Sequence, residues 1–229
     1  NLYHFKGFAI RIHHISQEDK IIVAHCVENN IPIHWIYNQH KELSPKDYIP
    51  SGEIPWIHNH FETIPKPNNY PEWCKSHLYR KVWESNEWIL GRKLFVKPSD
   101  VSKRFNGFCT KGNYSKKKKP PYYYSDIVIF TNEWRYYISN EKVLCGEWYD
   151  GDKVNKPIAP EFPKDLIIPE DFCGTIDMGT LSTGELAIIE VQLPYSTGFY
   201  GTKNELYIQW VIDGWKYMIS NYKIKESKE

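Results

Sequence analysis

Apolar residues along this chain fall into short runs separated by turn formers rather than into long helical stripes. Phe8-Ala9-Ile10-Arg11-Ile12 and Ile31-Pro32-Ile33-His34-Trp35-Ile36 are such runs, and each predicts a buried strand. Between them, Ser16 and Asp19 precede the apolar run Ile21-Ile22-Val23-Ala24 at capping-box spacing, with Asp in the usual place of Glu. That predicts a short helix ended by Asn29-Asn30. Strand, helix and strand in this order predict a βαβ unit with parallel pairing.

Six prolines, from Pro45 to Pro71, then punctuate a linker-like stretch with one short predicted strand at 54–57. Pro71-Glu72-Trp73 opens a predicted helix reaching about Trp88, with His77, Leu78, Val82 and Trp83 near helical spacing. From Lys93 the texture becomes β-rich. Strands are predicted at 93–97, 125–130, 133–139, 142–148, 173–179 and 185–191, with turns at Thr131-Asn132, Ser139-Asn140-Glu141 and Ser182-Thr183-Gly184. Leu206, Trp210, Val211 and Trp215 mark one side of a closing amphipathic helix over 204–220. The composition shift at the Pro-rich stretch places a domain boundary at residue 70, giving units 1–70 and 71–229.

Composition adds one departure from the ordinary: aromatics make up 16% of the residues, with nine Trp and seventeen Tyr, more than a core requires. A net charge of +1 supplies no global field toward nucleic acid or membrane. The lysines at 116–119 form a local basic run, read first as a solvated loop and only second as a nucleic-acid contact. Five scattered cysteines without a CxxC pair indicate neither a zinc ribbon nor a disulfide framework, and a reducing cytoplasmic setting follows. No apolar run has the length of a membrane span. His58-Asn59-His60 lacks an evident third metal ligand, so these side chains read as packing or surface groups.

Three constellations carry chemistry. Leu94-Phe95-Val96-Lys97-Pro98 is a core strand ending on a lysine, which suits a point charge aimed at a phosphate from the sheet edge. Lys103, Arg104, Asn106 and Gly107 follow it, residue types that suit a flap over a polyphosphate. Glu133, Arg135 and Tyr137 share a face by strand alternation, and the arginine can clamp a phosphate or a carboxylate. Asp177 and Glu190 sit among apolar residues, where a carboxylate needs a cation or strong donors. Glu190 and Gln192 face one side, and with Asp177 across a hairpin they offer hard oxygens to Mg²⁺; a structural salt bridge to Lys or Arg is the alternative.

These motifs, in order, resemble the ATP-grasp superfamily, and within it a bacterial and viral clade of amide ligases. Tyr48-Ile49-Pro50-Ser51-Gly52, the segment from Pro71 to Trp83, Phe95-Val96-Lys97-Pro98, Glu133-Trp134-Arg135, Ile176-Asp177-Met178-Gly179, and Glu190-Val191-Gln192 with Tyr200-Gly201 carry the likeness. The resemblance implies an α+β fold in which two subdomains grip ATP, preceded by a small α/β pre-ATP-grasp domain. It implies ATP phosphate contacts from Lys97 and Lys103 with Gly107 in the flap, and an adenine-binding hinge near Ser125 and Ile127, with Glu133 in the nucleotide site. Arg135 and Lys103 would act on the transferred phosphoryl group, and Asp177, Glu190 and Gln192 would hold Mg²⁺. Gln192 departs from the family's usual Asn by one methylene.

The implied activity is an ADP-forming carboxylate–amine ligase working through an acyl-phosphate on an amino acid, peptide or protein. A phosphotransferase on the same scaffold, or an inactive binding module, are the competing readings.

Overall fold

The computed structural model describes residues 5–13, 15–37, 44–52, 54–100, 104–111, 119–195 and 197–225. Strand β1 (Gly7–Arg11), helix α1 (Gln17–Glu28) and strand β2 (Ile33–Ile36) form in the order the pattern predicts. The capping box is present: Asp19 N–H donates to Ser16 Oγ at 3.1 Å and Ser16 N–H to Asp19 Oδ2 at 2.9 Å. β1 pairs in parallel with β2 on one side and with β3 (Tyr48–Ser51) on the other. Pro50 is tolerated in β3 because that strand has a neighbour on only one side.

Two predicted elements differ. Residues 54–57 form not a strand but the start of helix α2 (Ile54–His58). An Ile-Pro-Trp-Ile run is too short to show a period, and Pro55 in a first turn is as compatible with a helix as with an extended segment. The long helix predicted from Pro71 is only a 3₁₀ helix (Glu72–His77), followed by strand β4 (Val82–Ser85). Tyr79, with φ of 49°, breaks the helical path, and Val82-Trp83 pairs with a sheet instead.

That sheet contains β4, β5 (Phe95–Pro98), β6 (Phe108–Cys109) and β7 (Tyr122–Ser125), all antiparallel, in the order β4-β7-β5-β6. The predicted strand at 125–130 is split, because Ser125 ends β7 and Phe130 begins β8 (Phe130–Ser139). β8 joins β9 (Lys142–Asp150), β10 (Gly174–Leu181) and β11 (Leu186–Gln192) in a second antiparallel sheet of order β11-β10-β8-β9. Asn140 and Glu141 both have positive φ, 47° and 62°, as the tight β8–β9 turn requires.

Helix α3 (Asn204–Asn221) binds two of the cores together. Ile208, Trp215 and Met218 pack with Phe8, Ile10 and Ile22 of the parallel sheet and its helix, while Tyr207 and Trp210 pack on Tyr137 of β8. The indole N–H groups find backbone acceptors, Trp210 at Gly174 O (2.9 Å) and Trp215 at Pro45 O (2.8 Å). Among the described residues, no helix is long and apolar enough to cross a membrane.

Candidate functional site

A cleft of about 220 Å³ lies where the end of β5 meets the end of β11, and Lys97, Gly107, Glu190 and Gln192 all line it. Lys97 is the last but one residue of β5, so its ammonium leaves the sheet at the strand's end and pairs with Glu190. The Tyr70 ring lies 4.7 Å and the Tyr123 ring 5.9 Å from its Nζ. Burial works against the Lys97 charge, but Tyr70 and Glu190 outweigh it and hold the pKa above the ordinary lysine value. On the opposite wall, Gly107 passes against the Phe95 ring so closely that a Cβ there would overlap it.

Behind the cleft, strand register builds a second charged pair. Asp177 stands directly between Arg135 on β8 and Glu190 on β11. The Arg135 guanidinium donates to both carboxylate oxygens, Nε to Oδ1 at 2.8 Å and Nη2 to Oδ2 at 2.7 Å, with side-chain exposures of 6% and 4%. Burial raises the Asp177 pKa against the pull of Arg135, while on Arg135 burial is outweighed by the Asp177 bonds and its charged form is strengthened. These two tendencies oppose each other for one pair. The fork decides for the ionised form, since both carboxylate oxygens accept from N–H groups and neither is left to carry a proton. The rings of Tyr200 and Tyr149 stack at 5.0 Å and cover the guanidinium, 4.9 and 5.9 Å from its carbon.

Gln192 links the pairs. Its amide Nε2 donates to Glu190 and, at 3.3 Å, to Asp177 Oδ2. Among the described residues, no group of three or more His, Cys, Asp or Glu is arranged as a metal cage. Mg²⁺ does not need one, because it binds through one or two carboxylates and takes its remaining ligands from phosphates and water. Glu190, with Gln192 beside it on the same cleft, fits that requirement once a half-turn of the amide presents Oε1. Asp177 has both oxygens committed to Arg135 and stands one bond behind.

The other predicted residues are distributed as follows. Glu133 lies further along β8, its carboxyl raised by burial, lowered by a bond from Tyr149 and raised again by Asp150, Asp177 and Glu190. Ser125, buried, ends β7, and Ile127, exposed, lies in the β7–β8 connection; neither lines the cleft. Lys103 lies outside the described residues, as do three of the four lysines at 116–119. His58 and His60 pack rather than converge: His58 meets the Tyr195 hydroxyl at 3.1 Å, and His60 sits edge-on to Trp56 and Trp215.

Sequence reasoning missed the residues that hold β11 in place. Arg80, half-buried, donates to the carbonyls of Leu78 (3.0 Å), Ile188 (2.7 Å) and Ile189 (3.0 Å). Asn69 extends the sheet past β11: Val191 N–H donates to its carbonyl at 2.9 Å, and its Nδ2 donates to Val191 O at 3.0 Å. Both act on backbone; Arg80 falls in the Pro71–Trp83 segment that carries the family likeness, which gave it no role, and no side-chain pattern marks Asn69.

A family model for an ATP-grasp domain, the second family of its clade, matches residues 77–210, more than half of the chain. No curated protein matches. Among solved structures, N5-carboxyaminoimidazole synthetase from Staphylococcus aureus aligns with a TM-score of 0.55 at 10% identity, covering 93% of this chain and 78% of that one. A RimK domain protein ATP-grasp from Sphaerobacter thermophilus aligns with a TM-score of 0.49 at 9% identity, covering 92% and 97%. ATP-grasp ligase PsnB, complexed with minimal precursor, aligns at 0.38 and 12% identity; the chain spans 54% of its length, with 58% of this chain covered. The first of these likenesses shows a shared fold.

Proposed function

Because the chain belongs to the ATP-grasp family, we propose that it is an ADP-forming ligase joining an amine to a carboxylate on an amino acid, peptide or protein. The observation that carries this reading is the convergence of Lys97, Glu190 and Gln192 on one cleft with the Arg135–Asp177 pair immediately behind. ATP would supply the phosphoryl group that turns a carboxylate into an acyl-phosphate, with Mg²⁺ neutralising its phosphate charge.

Lys97, mostly buried, would exchange Glu190 for a phosphate oxygen, and Glu190 and Gln192 are the residues that would then hold Mg²⁺. Asp177 keeps Arg135 charged and rigid, so that Arg135 can steady the phosphoryl group or acyl-phosphate. Lys103, by the family likeness, would contact the ATP phosphates, and exclusion of water would protect the acyl-phosphate. The amine then displaces phosphate: its C–N bond forms as the carbonyl–oxygen bond to phosphate breaks, and the amine proton leaves to solvent or phosphate.

Calorimetric titration with ATP and Mg²⁺, on wild type and Glu190→Ala, tests the site. Wild type is expected to bind, and the variant to lose at least about tenfold in affinity with one charged ligand removed. Substrate-dependent release of ADP and phosphate then tests the ligase reading. Absence of nucleotide binding by wild type would overturn both; a phosphorylated acceptor in place of free phosphate would make the protein a phosphotransferase.

A further inference from the structure

A second and larger cleft, of about 540 Å³, adjoins the first, with Ile54 and Tyr195 lining both. Its size is that of a small-molecule pocket. One wall is the N-terminal end of α1 with β3, and the other is the segment after β11 with α3. Gly198 belongs to it, and the Gly198 carbonyl accepts from Arg135 Nη1 at 3.2 Å and from the Tyr137 hydroxyl at 3.0 Å. The wall of this cleft is therefore tied directly to the arginine of the charged pair.

Its polar groups are acidic or neutral. Asp19, 1% exposed, accepts from Ser16 N–H at 2.9 Å and from the Ser51 hydroxyl, while Glu18 Oε1 accepts from Phe199 N–H at 2.8 Å. All of these donors are neutral, and among the described residues no cationic side chain pairs with either carboxylate. The lining therefore carries two carboxylates and no cationic side chain, and the N-terminal pole of α1 adds only about half a positive charge. Thr197, only 6% exposed, lines the same cleft, and its hydroxyl has no hydrogen-bond partner among the described residues. A buried hydroxyl without a partner is costly, and a ligand atom would supply what the protein does not. The remaining lining, including Ile22, Ile49, Val211 and Trp215, is largely apolar.

We infer that this cleft binds the amine partner of the ligation, a protonated primary amine on an apolar body, with its ammonium at Glu18 and Asp19 and a polar atom at Thr197. The assignment to the amine partner rests on the ligase reading above; the binding of the amine itself does not. A cation satisfies the carboxylates, an apolar body satisfies the walls, and the Gly198 carbonyl ties the wall of this cleft to Arg135.

Calorimetric titration without ATP provides the test, using L-phenylalaninamide and its neutral analogue N-acetyl-L-phenylalaninamide. Wild type is expected to bind the amine at least about tenfold more tightly than the acetylated analogue, the factor lost with a charge-assisted bond. Glu18→Gln, which retains an acceptor for Phe199 N–H, should lose a similar factor. Thr197→Val should melt at or above the wild-type temperature and yet bind the amine more weakly, a split that a purely structural threonine does not produce. The inference is overturned if phenylalaninamide does not bind, if the acetylated analogue binds equally, or if a folded Glu18→Gln keeps full affinity. Should Glu18→Gln fail to fold, the two ligands on wild type decide. ADP release without amine binding would sink this inference and spare the ligase reading; amine binding by a chain that binds no ATP would do the reverse.

Discussion

Replacing Asp177 with Ala should be among the most damaging single changes in the chain. The variant removes two charge-assisted hydrogen bonds, at 2.8 and 2.7 Å, and the weaker 3.3 Å bond from Gln192. It also leaves a buried guanidinium with only the Gly198 carbonyl and the Tyr149 and Tyr200 rings for company. Breaking a buried ion pair by removing one partner costs about 3–5 kcal/mol, because the surviving charge stays desolvated. The remaining carbonyl and ring contacts place the expectation toward the lower end. At about 2–4 °C per kcal/mol for a chain of this size, the melting temperature should fall by roughly 6–20 °C. Thermal and urea unfolding followed by circular dichroism read this directly. The double variant Asp177→Leu with Arg135→Met should regain most of the lost stability, since apolar side chains of similar volume replace a buried pair at little cost. ATP-dependent activity should not return with it. An Asp177→Ala protein within about 1 kcal/mol of wild type, or a double variant no more stable than the single, would refute the reasoning.

Two further predictions concern a buried histidine and the end of β11. His60 is buried between Trp56 and Trp215, and burial, aided by Lys225, lowers its pKa from 6.5 to about 4. Its folded pKa lies below its unfolded one, so its contribution is complete above 6.5 and is lost as pH falls toward 4; the shift corresponds to about 3 kcal/mol. His60→Phe should remove that part of the acid sensitivity, and parallel pH–stability curves for the two proteins would contradict it. Gly174→Ala would drive a Cβ into the Gln192 carbonyl oxygen at the end of β11. A loss of about 1–3 kcal/mol together with weakened nucleotide binding is expected, and unchanged titrations would show that the end of β11 does not depend on this contact.

Features closed by near neighbours were legible in the sequence. The capping box of α1 needs only residues 16 and 19, the β8–β9 turn only 140 and 141, and both formed as read. Strand alternation alone set Glu190 and Gln192 on one face and Asp177 opposite them, because the side-chain period of a strand is two. Short apolar runs at 54–57 and 82–83 carried no such period, and packing partners far along the chain chose a helix for the first and a strand for the second.

Charge partners belonged wholly to the tertiary structure. Lys97 meets Glu190 across 93 positions and Arg135 meets Asp177 across 42. The sequence named Mg²⁺ and a salt bridge to Lys or Arg as alternatives for the cluster of Asp177, Glu190 and Gln192, and the fold sets Arg135 against Asp177 and Lys97 against Glu190. A buried carboxylate demands a counter-charge wherever it lies, and that demand can be read from its apolar neighbours. Which cation answers it depends on the strand order β11-β10-β8-β9, set by closure of the whole sheet rather than by any local pattern.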